Sequence, residues 1–379
     1  MPAPTRPAPV VVAPDAFKGS IGARAAADAL AEGWLSVRPG AAIERMPMAD
    51  GGEGTLDAFA AAIPQAQRMP VRVTGPEDAP VDATWLLLPP TADAPDGTAV
   101  VELASTSGIE LLGSPPRLRP LAAHTRGFGE AIQAALAHGV SRLVCALGGS
   151  SSTDGGVGLL SALGARFTDS SGAPVPAGGR GLAVIAEADL SSLPPLPVGG
   201  VTVLADVSAP LLGTGGAAHV FAPQKGASPL QVAALDAGLA VLAQRLGIDP
   251  GRRGAGAAGG AAYGLLAWGA RLVPGADAVA DLIGLDEVVR AASIVVAGEG
   301  AFDGSSAGGK AAAHVHERAA SAGVPAALVA GRIAADAPTE GFVATLSLTH
   351  LAGSADAAMA DPARWLREAG AILARTLPS

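Results

Sequence analysis

Acidic residues follow several short apolar segments of the chain, and their positions suggest metal and phosphate chemistry. The segment VVVAP runs into Asp15, ERMPMA into Asp50, VTVLA into Asp206 and SIVVAG into Glu299. These segments read as β-strands, and in open α/β sheets ligands bind outside the carboxyl ends of the strands. Carboxylates at such positions either cap turns and helices or bind Mg²⁺ that bridges phosphates. Their recurrence among glycines favours the second interpretation.

The loop at residues 147–157, LGGSSSTDGGV, is the strongest candidate for anion binding. It follows the predicted strand RLVCAL and precedes the predicted helix VGLLSALGA. Glycines let the backbone approach an anion, and a helix N-terminus offers N–H donors and the positive end of a dipole. The hydroxyl side chains at 150–153 add donors, while Asp154 either binds a metal or caps the helix. We predict that this loop binds a phosphate or a carboxylate.

Only three lysines accompany 22 arginines, and each lies in a glycine-containing loop: Lys18 in DAFKGS, Lys225 in PQKGA and Lys310 in GGKAA. A lysine ammonium is a compact point charge suited to a phosphate oxygen, so these positions favour anion contact. The last loop, GSSAGGKA, fits part of the P-loop pattern. We reject a P-loop because Ala311 stands where that motif needs Ser or Thr for Mg²⁺.

The elements that must position these residues follow an α/β pattern, in which short apolar strands alternate with Ala- and Leu-rich helices. Between Met69 and Glu102 the segments VRV, TWLLL and TAVVEL form a β-rich block, and the βαβα series resumes after it. We therefore predict a Rossmann-like parallel-sheet domain built from separated segments, with a second α/β domain inserted. For two glycine-rich segments the sequence leaves two alternatives each. Asp169–Gly200 is predicted to be irregular or inter-domain, and residues 254–260 are predicted to cradle an anion or to act as a hinge between the domains.

The predicted domain boundaries follow from this interruption. The Rossmann-like domain comprises residues 1–67, 118–167 and 290–379, and the inserted domain comprises residues 68–117 and 168–289. Closure of the two domains around an inter-domain cleft would exclude water from the reaction.

Composition excludes several classes of protein. The 379 residues are 49% hydrophobic and 16% charged with a net charge of −9, which argues against disorder and against a nucleic-acid binder. Cys145 is the single cysteine, so the chain has no internal disulfide and no Cys-rich metal site. No apolar run approaches the 18 residues of a membrane span, and Met1–Pro9 lacks the apolar core of a secretory signal. We expect a cytoplasmic protein without membrane or nucleic-acid partners, either a monomer or a homodimer.

Seven motifs, taken together and in this order, resemble the bacterial glycerate kinase type 1 family. They span essentially the whole chain: APDAFKGS (13–20), MADGGEGT (48–55), LGGSSSTDGG (147–156), ADVSAPLLG (205–213), APQKGA (222–227), RGAGAAGG (253–260) and AGEGAFDGSSAGGK (297–310). Four positions depart from the family pattern, at His124, Ala209, Ala297 and Ser305. These departures bear on substrate preference rather than on phosphoryl transfer, since no charged motif residue is lost.

The resemblance implies ATP-dependent phosphorylation of D-glycerate with Mg²⁺ in two α/β domains, and it favours 2-phosphoglycerate as the product. The residues implied as catalytic are Asp15, Lys18, Asp206 and Lys310. Those implied in ATP binding are Gly148, Gly149, Ser150, Ser151, Thr153, Lys225, Gly298 and Gly300. Substrate is expected at Asp50, Gly51, Gly52, Glu53 and Arg126, and metal at Asp154, Glu299 and Asp303.

Several alternatives stay open at the level of sequence. The acceptor is D-glycerate or another small hydroxy acid, and its carboxylate meets either Lys18 or Arg126. A non-catalytic sensor of phosphorylated acids would keep the glycine loops and the lysines. Such a sensor has no use for so many metal-type carboxylates, so the acids favour an enzyme.

Overall fold

The structure, a computed structural model, describes residues 8–304 and 311–377. Its fold is mixed α/β with parallel sheets, as predicted, with 40% helix and 21% strand. The strands are β1 (Val10–Pro14), β2 (Ile43–Arg45), β3 (Gln67–Thr74), β4 (Pro80–Leu88), β5 (Thr98–Glu102), β6 (Arg142–Ala146), β7 (Arg166–Thr168), β8 (Glu187–Asp189), β9 (Val201–Leu204), β10 (Arg271–Val273), β11 (Ile294–Phe302), β12 (Ala326–Ile333) and β13 (Phe342–Ser347).

The helices connect and cover these strands. They are α1 (Ala23–Val37), α2 (Thr55–Ala62), α3 (Ala104–Ser107), α4 (Arg126–His138), α5 (Val157–Ala162), α6 (Ala217–Phe221), α7 (Pro229–Leu246), α8 (Ala261–Trp268), α9 (Gly275–Leu282), α10 (Leu285–Arg290), α11 (Ala311–Ser321), α12 (Leu348–Ala352), α13 (Ala355–Ala360) and α14 (Pro362–Thr376). Short 3₁₀ helices lie at Glu110–Leu112, Gly179–Val184, Pro223–Lys225 and Ala257–Gly260. Within the described residues, no helix combines the length and the hydropathy of a membrane span.

The chain divides into two compact units, of which the first comprises Met1–Asp50, Asp57–Pro64 and Ala276–Ser379. Its sheet has the order β13-β12-β11-β1-β2, and every pairing is parallel. All five residues of β1 are buried. A continuous apolar run such as VVVAP is typical of a parallel strand covered on both faces. The sheet therefore holds the residue that follows β1, Asp15, on a rigid support.

Two helices of the first unit pack closely because glycines lie where they meet. A Cβ atom on Gly33 of α1 would lie 1.9 Å from the carbonyl oxygen of Arg367 in α14. Leu30 and Trp34, which are one turn apart on α1, are buried in the same core. The helix ends at Val37, since Pro39 disfavours helical geometry at the residue before it.

The second unit comprises Gly51–Leu56 and Gln65–Gly275. Its sheet has the order β10-β9-β6-β5-β4-β3, which is parallel from β10 to β5 and antiparallel from β5 to β3. The β-rich block predicted between Met69 and Glu102 is confirmed as β3, β4 and β5. Strand β6 ends directly before the glycine loop, so the loop lies at the carboxyl edge of this sheet.

The structure corrects the predicted division of the chain. Residues 118–167 belong to the second unit, because β6 pairs with β5 and β9 in its sheet. Residues 51–56 and 65–67 also belong to the second unit, and residues 276–289 belong to the first. Asp169–Gly200 lies inside the second unit and carries a 3₁₀ helix and strand β8. The segment 254–260 also lies inside this unit, where a Cβ on Gly259 would come within 2.2 Å of the Ser152 carbonyl oxygen. Its glycines permit close packing on the loop and do not join the units.

Candidate active site

In the first unit, a group of acids surrounds Lys18 at the end of β1. Asp15 follows β1 directly, and its backbone N–H donates to the Gly298 carbonyl oxygen of the neighbouring β11 at 2.8 Å. Asp15 Oδ1 accepts the N–H of Ala16 at 2.6 Å. The Lys18 ammonium lies 3.5 Å from Asp50 Oδ2. The structure therefore brings Asp15, Lys18 and Asp50 together from two separate motifs.

The charges of this group act on one another. Burial, followed by the nearby Asp50 carboxylate, raises the pKa of Asp15 from 3.8 to about 8. Glu299 acts in the same direction, whereas the Ala16 N–H and Lys18 lower the pKa. Asp50 is also the main cause of a raised pKa at Lys18, whose side chain is 81% exposed. At neutral pH this unit thus presents an exposed ammonium beside a carboxyl group that titrates near 8.

Strand β11 supplies the remaining acids of the first unit. Glu299 lies within β11 rather than beyond its end, is 6% exposed and pairs in register with Ala330 of β12. A Cβ on Gly300 would lie 3.2 Å from the Lys18 amide nitrogen, so this glycine lets the Lys18 loop approach β11 closely. Asp303 directly follows the strand and is partly buried. Lys310, predicted as catalytic, lies outside the described residues.

In the second unit, most of the glycine loop is buried. Ser151, Ser152, Thr153 and Asp154 are at most 1% exposed. Asp154 Oδ2 accepts the Thr125 N–H and hydroxyl, both at 2.9 Å, and the Gly158 N–H at 3.2 Å, while Oδ1 accepts the Gly156 N–H at 3.1 Å. The carboxylate is therefore engaged by four protein donors.

These contacts bear on the roles predicted for the loop. The N-terminus of α5 is capped from within by Asp154 and by the Thr125 hydroxyl, which accepts the Leu159 N–H at 2.9 Å. It is thus not presented to an anion. The four donors favour the capping alternative for Asp154, which also holds the loop on the residue before α4. The predicted Ser151 also faces inward, because its hydroxyl donates to the Ser107 carbonyl oxygen at 2.7 Å.

The part of the loop that reaches the surface is its beginning. Gly149 is exposed and Gly148 and Ser150 are partly exposed. The Gly148 N–H donates to the Gly51 carbonyl oxygen at 2.9 Å, and a Cβ on Gly148 would lie 2.3 Å from the Gly52 Cα. The two glycine motifs therefore meet backbone to backbone, which no larger residue would permit. Beneath them, the Lys225 ammonium donates to the Ser150 hydroxyl at 2.7 Å.

One acid of this edge was missed by the sequence analysis. Glu102 is the last residue of β5, is 6% exposed, and accepts the Thr55 N–H on Oε1 at 2.9 Å. It thereby fixes the end of the motif at 51–55. The segment TAVVEL carries the same signal as the other strand-end acids, so the rule that found Asp15 would also have found Glu102.

Three further residues predicted for the site, and one departure from the family pattern, also belong to the second unit. Asp206 is exposed after β9, and its Oδ1 accepts the N–H of Gly275, the first residue of α9, at 2.6 Å. Arg126 opens α4 with an exposed side chain that pairs with Glu130 at 2.9 Å. Glu53 is exposed. His124, one of the departures from the family pattern, is buried and lies 3.1 Å from Asp78.

Mg²⁺ suits the oxygen donors of the first unit. Among the described residues, no group of three His, Cys, Asp or Glu side chains could hold a metal ion by itself. Mg²⁺ needs only one or two carboxylates when phosphates and water complete its coordination, so Glu299, Asp303 and Asp50 fit an ion that arrives with a nucleotide. A separate cavity of about 460 Å³ in the first unit, lined by Asp277, Asp281, Asp286 and Arg318 among others, shares no residue with this group.

Acids at strand ends, an exposed lysine and a glycine-rich sheet edge are the residue types that phosphotransferases use to bind phosphates and metal ions. The model of the glycerate kinase family matches residues 10–378. The chain is 38% identical to a glycerate 2-kinase from Escherichia coli (strain K12), covering 79% of each chain, and 39% identical to a glycerate kinase from Bacillus subtilis (strain 168), covering 86% of each. A glycerate kinase 2 structure from Salmonella typhimurium LT2 has a TM-score of 0.81, 34% identity and 97% coverage of both chains. The chain belongs to the glycerate kinase family and is an enzyme of the kinase class.

Proposed function

We propose that the protein transfers the γ-phosphoryl group of ATP to a hydroxyl group of D-glycerate, giving 2-phosphoglycerate and ADP. The observation that carries this proposal is the group of side chains at the end of β1, where the exposed Lys18 ammonium lies 3.5 Å from Asp50 and burial raises the pKa of the neighbouring Asp15 carboxyl to about 8. A group that titrates near the operating pH is suited to general acid–base chemistry. Membership of the glycerate kinase family supports the choice of substrate.

Asp15 is proposed as the acceptor of the hydroxyl proton of glycerate. The bond from the glycerate oxygen to the γ-phosphorus forms, the bond from that phosphorus to the bridging oxygen breaks, and ADP leaves with the electron pair. Lys18, exposed beside Asp50, offers its ammonium to the substrate carboxylate or to the transferred phosphoryl group. Neutralising that charge is the largest contribution a protein makes to phosphoryl transfer.

The exposed beginning of the glycine loop is proposed to bind the nucleotide phosphates. Gly148, Gly149 and Ser150 present their surface at the carboxyl edge of the second sheet. Glu299 and Asp303 are the proposed protein ligands of Mg²⁺, which when bound would lower the negative charge of the phosphates.

Two measurements test the proposal. A coupled assay follows ADP release with and without D-glycerate, and ³¹P NMR identifies the phosphorylated position of the product. Glycerate-dependent ADP release with a 2-phosphoglycerate signal supports it. ADP release only with another hydroxy acid would transfer the activity to that acceptor, and nucleotide binding without any acceptor-dependent ADP would identify an anion-binding sensor. Either of these results overturns the proposal.

A further inference from the structure

Lys225 is a lysine buried where its charge is costly. It closes the 3₁₀ helix Pro223–Lys225 in the second unit and is 2% exposed. Burial lowers the pKa of its ammonium from 10.5 to about 7, and the Asp154 charge partly opposes that effect. A buried cation is tolerated only where hydrogen bonds compensate for the loss of water. The function of Lys225 should therefore be sought in the groups that accept its hydrogen bonds.

Both acceptors of Lys225 belong to the glycine loop. Its Nζ donates to the Ser150 hydroxyl at 2.7 Å and to the Ser152 carbonyl oxygen at 2.5 Å. Ser150 belongs to the partly exposed beginning of the loop, whereas Ser152 is fully buried. One ammonium thus joins the surface part of the loop to its buried part.

The rest of the loop is held by other elements, and none of those contacts fixes the Ser150 side chain. The Gly149 carbonyl oxygen accepts the Ile109 N–H at 2.9 Å, and the Ser151 N–H donates to the Ser107 carbonyl oxygen at 3.2 Å. Backbone contacts of this kind set the path of the chain. The direction of the Ser150 hydroxyl is set by Lys225, because Nζ donates this hydrogen bond and the hydroxyl oxygen accepts it.

We propose, building on the function proposed above, that Lys225 is a positioning residue for nucleotide binding. It acts through Ser150: it directs the lone pairs of this hydroxyl inward, so that the hydroxyl hydrogen is available to a nucleotide phosphate at the exposed end of the loop. Lys225 itself does not touch the nucleotide, because its side chain is enclosed and its ammonium donates to two groups of the loop.

A double-mutant cycle tests this inference with Lys225→Met, Ser150→Ala and the combined variant. Loss of a charged hydrogen bond at a binding site corresponds to about 10-fold to 100-fold in affinity. We expect Lys225→Met to raise KM for ATP by about 10-fold or more and KM for D-glycerate by less than about 2-fold. The combined variant should be no worse than the poorer single variant, since both remove the same connection. Ser321→Ala, which removes a hydroxyl bond within α11 of the first unit, is the control and should leave both KM values unchanged.

Additive effects in the cycle would show that Lys225 acts on the nucleotide directly, and equal changes in both KM values would show a general loss of structure. Either result overturns the inference. Selective ¹⁵N-lysine NMR makes the test independent of how Lys225→Met folds, because the chain has only three lysines. The buried Nζ signal should exchange slowly with water and shift in Ser150→Ala; a signal unmoved by that substitution also overturns the inference.

Failure of the proposed kinase activity and failure of the role inferred for Lys225 give different results. Wild-type protein that releases no ADP with D-glycerate would refute the proposed function alone. The cycle would then be measured as the Kd for Mg·ATP by calorimetry, where the same non-additivity is expected.

Discussion

Asp15→Asn should make the protein more stable at alkaline pH while it removes activity. The substitution keeps the size of the side chain and an oxygen that accepts the Ala16 N–H at Oδ1. It removes the charge that the site must bear once Asp15 ionises. Because burial and the Asp50 carboxylate raise the pKa of Asp15 to about 8, the folded protein holds this proton far better than the unfolded chain does.

The size of the effect follows from proton linkage. Between pH 3.8 and pH 8 the folded state binds more protons at Asp15 than the unfolded state, so the free energy of unfolding falls as the pH rises. A pKa difference of about 4 sets a ceiling of about 6 kcal/mol, at about 1.4 kcal/mol for each pH unit. Asp15 is partly exposed and solvent screens its charge. We therefore expect the free energy of unfolding of Asp15→Asn to rise by only about 2 to 3 kcal/mol relative to wild type.

The assay is urea unfolding of wild type and Asp15→Asn at pH 5, 7 and 9 in metal-free buffer with chelator. The stability of Asp15→Asn relative to wild type should rise across this range, and most of the rise should fall below pH 8. Asp356→Asn, an exposed position in the first turn of α13, is the control and should show no such trend. The kcat of Asp15→Asn should fall on the order of 100-fold or more, with little change in either KM, since a proton acceptor is lost.

A stability difference that stays constant within about 0.5 kcal/mol from pH 5 to pH 9 would refute the electrostatic reasoning, because it would mean that Asp15 ionises as easily in the fold as in the unfolded chain. Unchanged kcat would separately refute its catalytic role.

Three further predictions concern the second unit. Asp154→Ala should lower the free energy of unfolding by about 3 to 5 kcal/mol, measured in urea, because it leaves four buried or partly buried donors without their acceptor. Glu102→Ala should lower kcat/KM about 10-fold, because the Thr55 N–H loses its acceptor. Glu102→Gln still accepts this N–H, so its kcat/KM should stay within about 3-fold of wild type. Equal losses for the two variants in steady-state kinetics would instead show that the charge of Glu102 matters. Between pH 7 and pH 10, wild type should gain stability relative to Lys225→Met in urea unfolding, because the unfolded chain binds more protons at this lysine than the folded one does; a flat difference would contradict its lowered pKa.

The fold was more predictable than the division of the chain. The apolar segments VRV, TWLLL and TAVVEL identified β3, β4 and β5. Assignment of β6 to a sheet failed, because each βα segment carries the same local pattern whichever sheet it joins. Only the pairing of β6 between β5 and β9 shows that residues 118–167 belong with the β-rich block.

The site was predictable by residue type and less so by role. Strand-end position predicted that Asp15 and Asp50 would meet, although their motifs lie 35 residues apart, and the two acids do act on each other. The same rule also selected Asp206, which accepts the first N–H of α9 as an ordinary capping acid would. A capping carboxylate and a ligand carboxylate follow the same sequence pattern, and only the donors around each oxygen distinguish them.

The number of hydrogen-bond donors distinguishes two acids of this protein, Asp154 and Asp15. Asp154 receives four hydrogen bonds from the protein, so its removal should cost stability. Asp15 accepts the Ala16 N–H and is acted on by Asp50 and Glu299, two further acids. Such an arrangement weakens the fold, and sites that weaken a fold are where function is expected. The two Asp→Asn substitutions should therefore have opposite effects at pH 9: Asp154→Asn should give a less stable protein, and Asp15→Asn a more stable and inactive one.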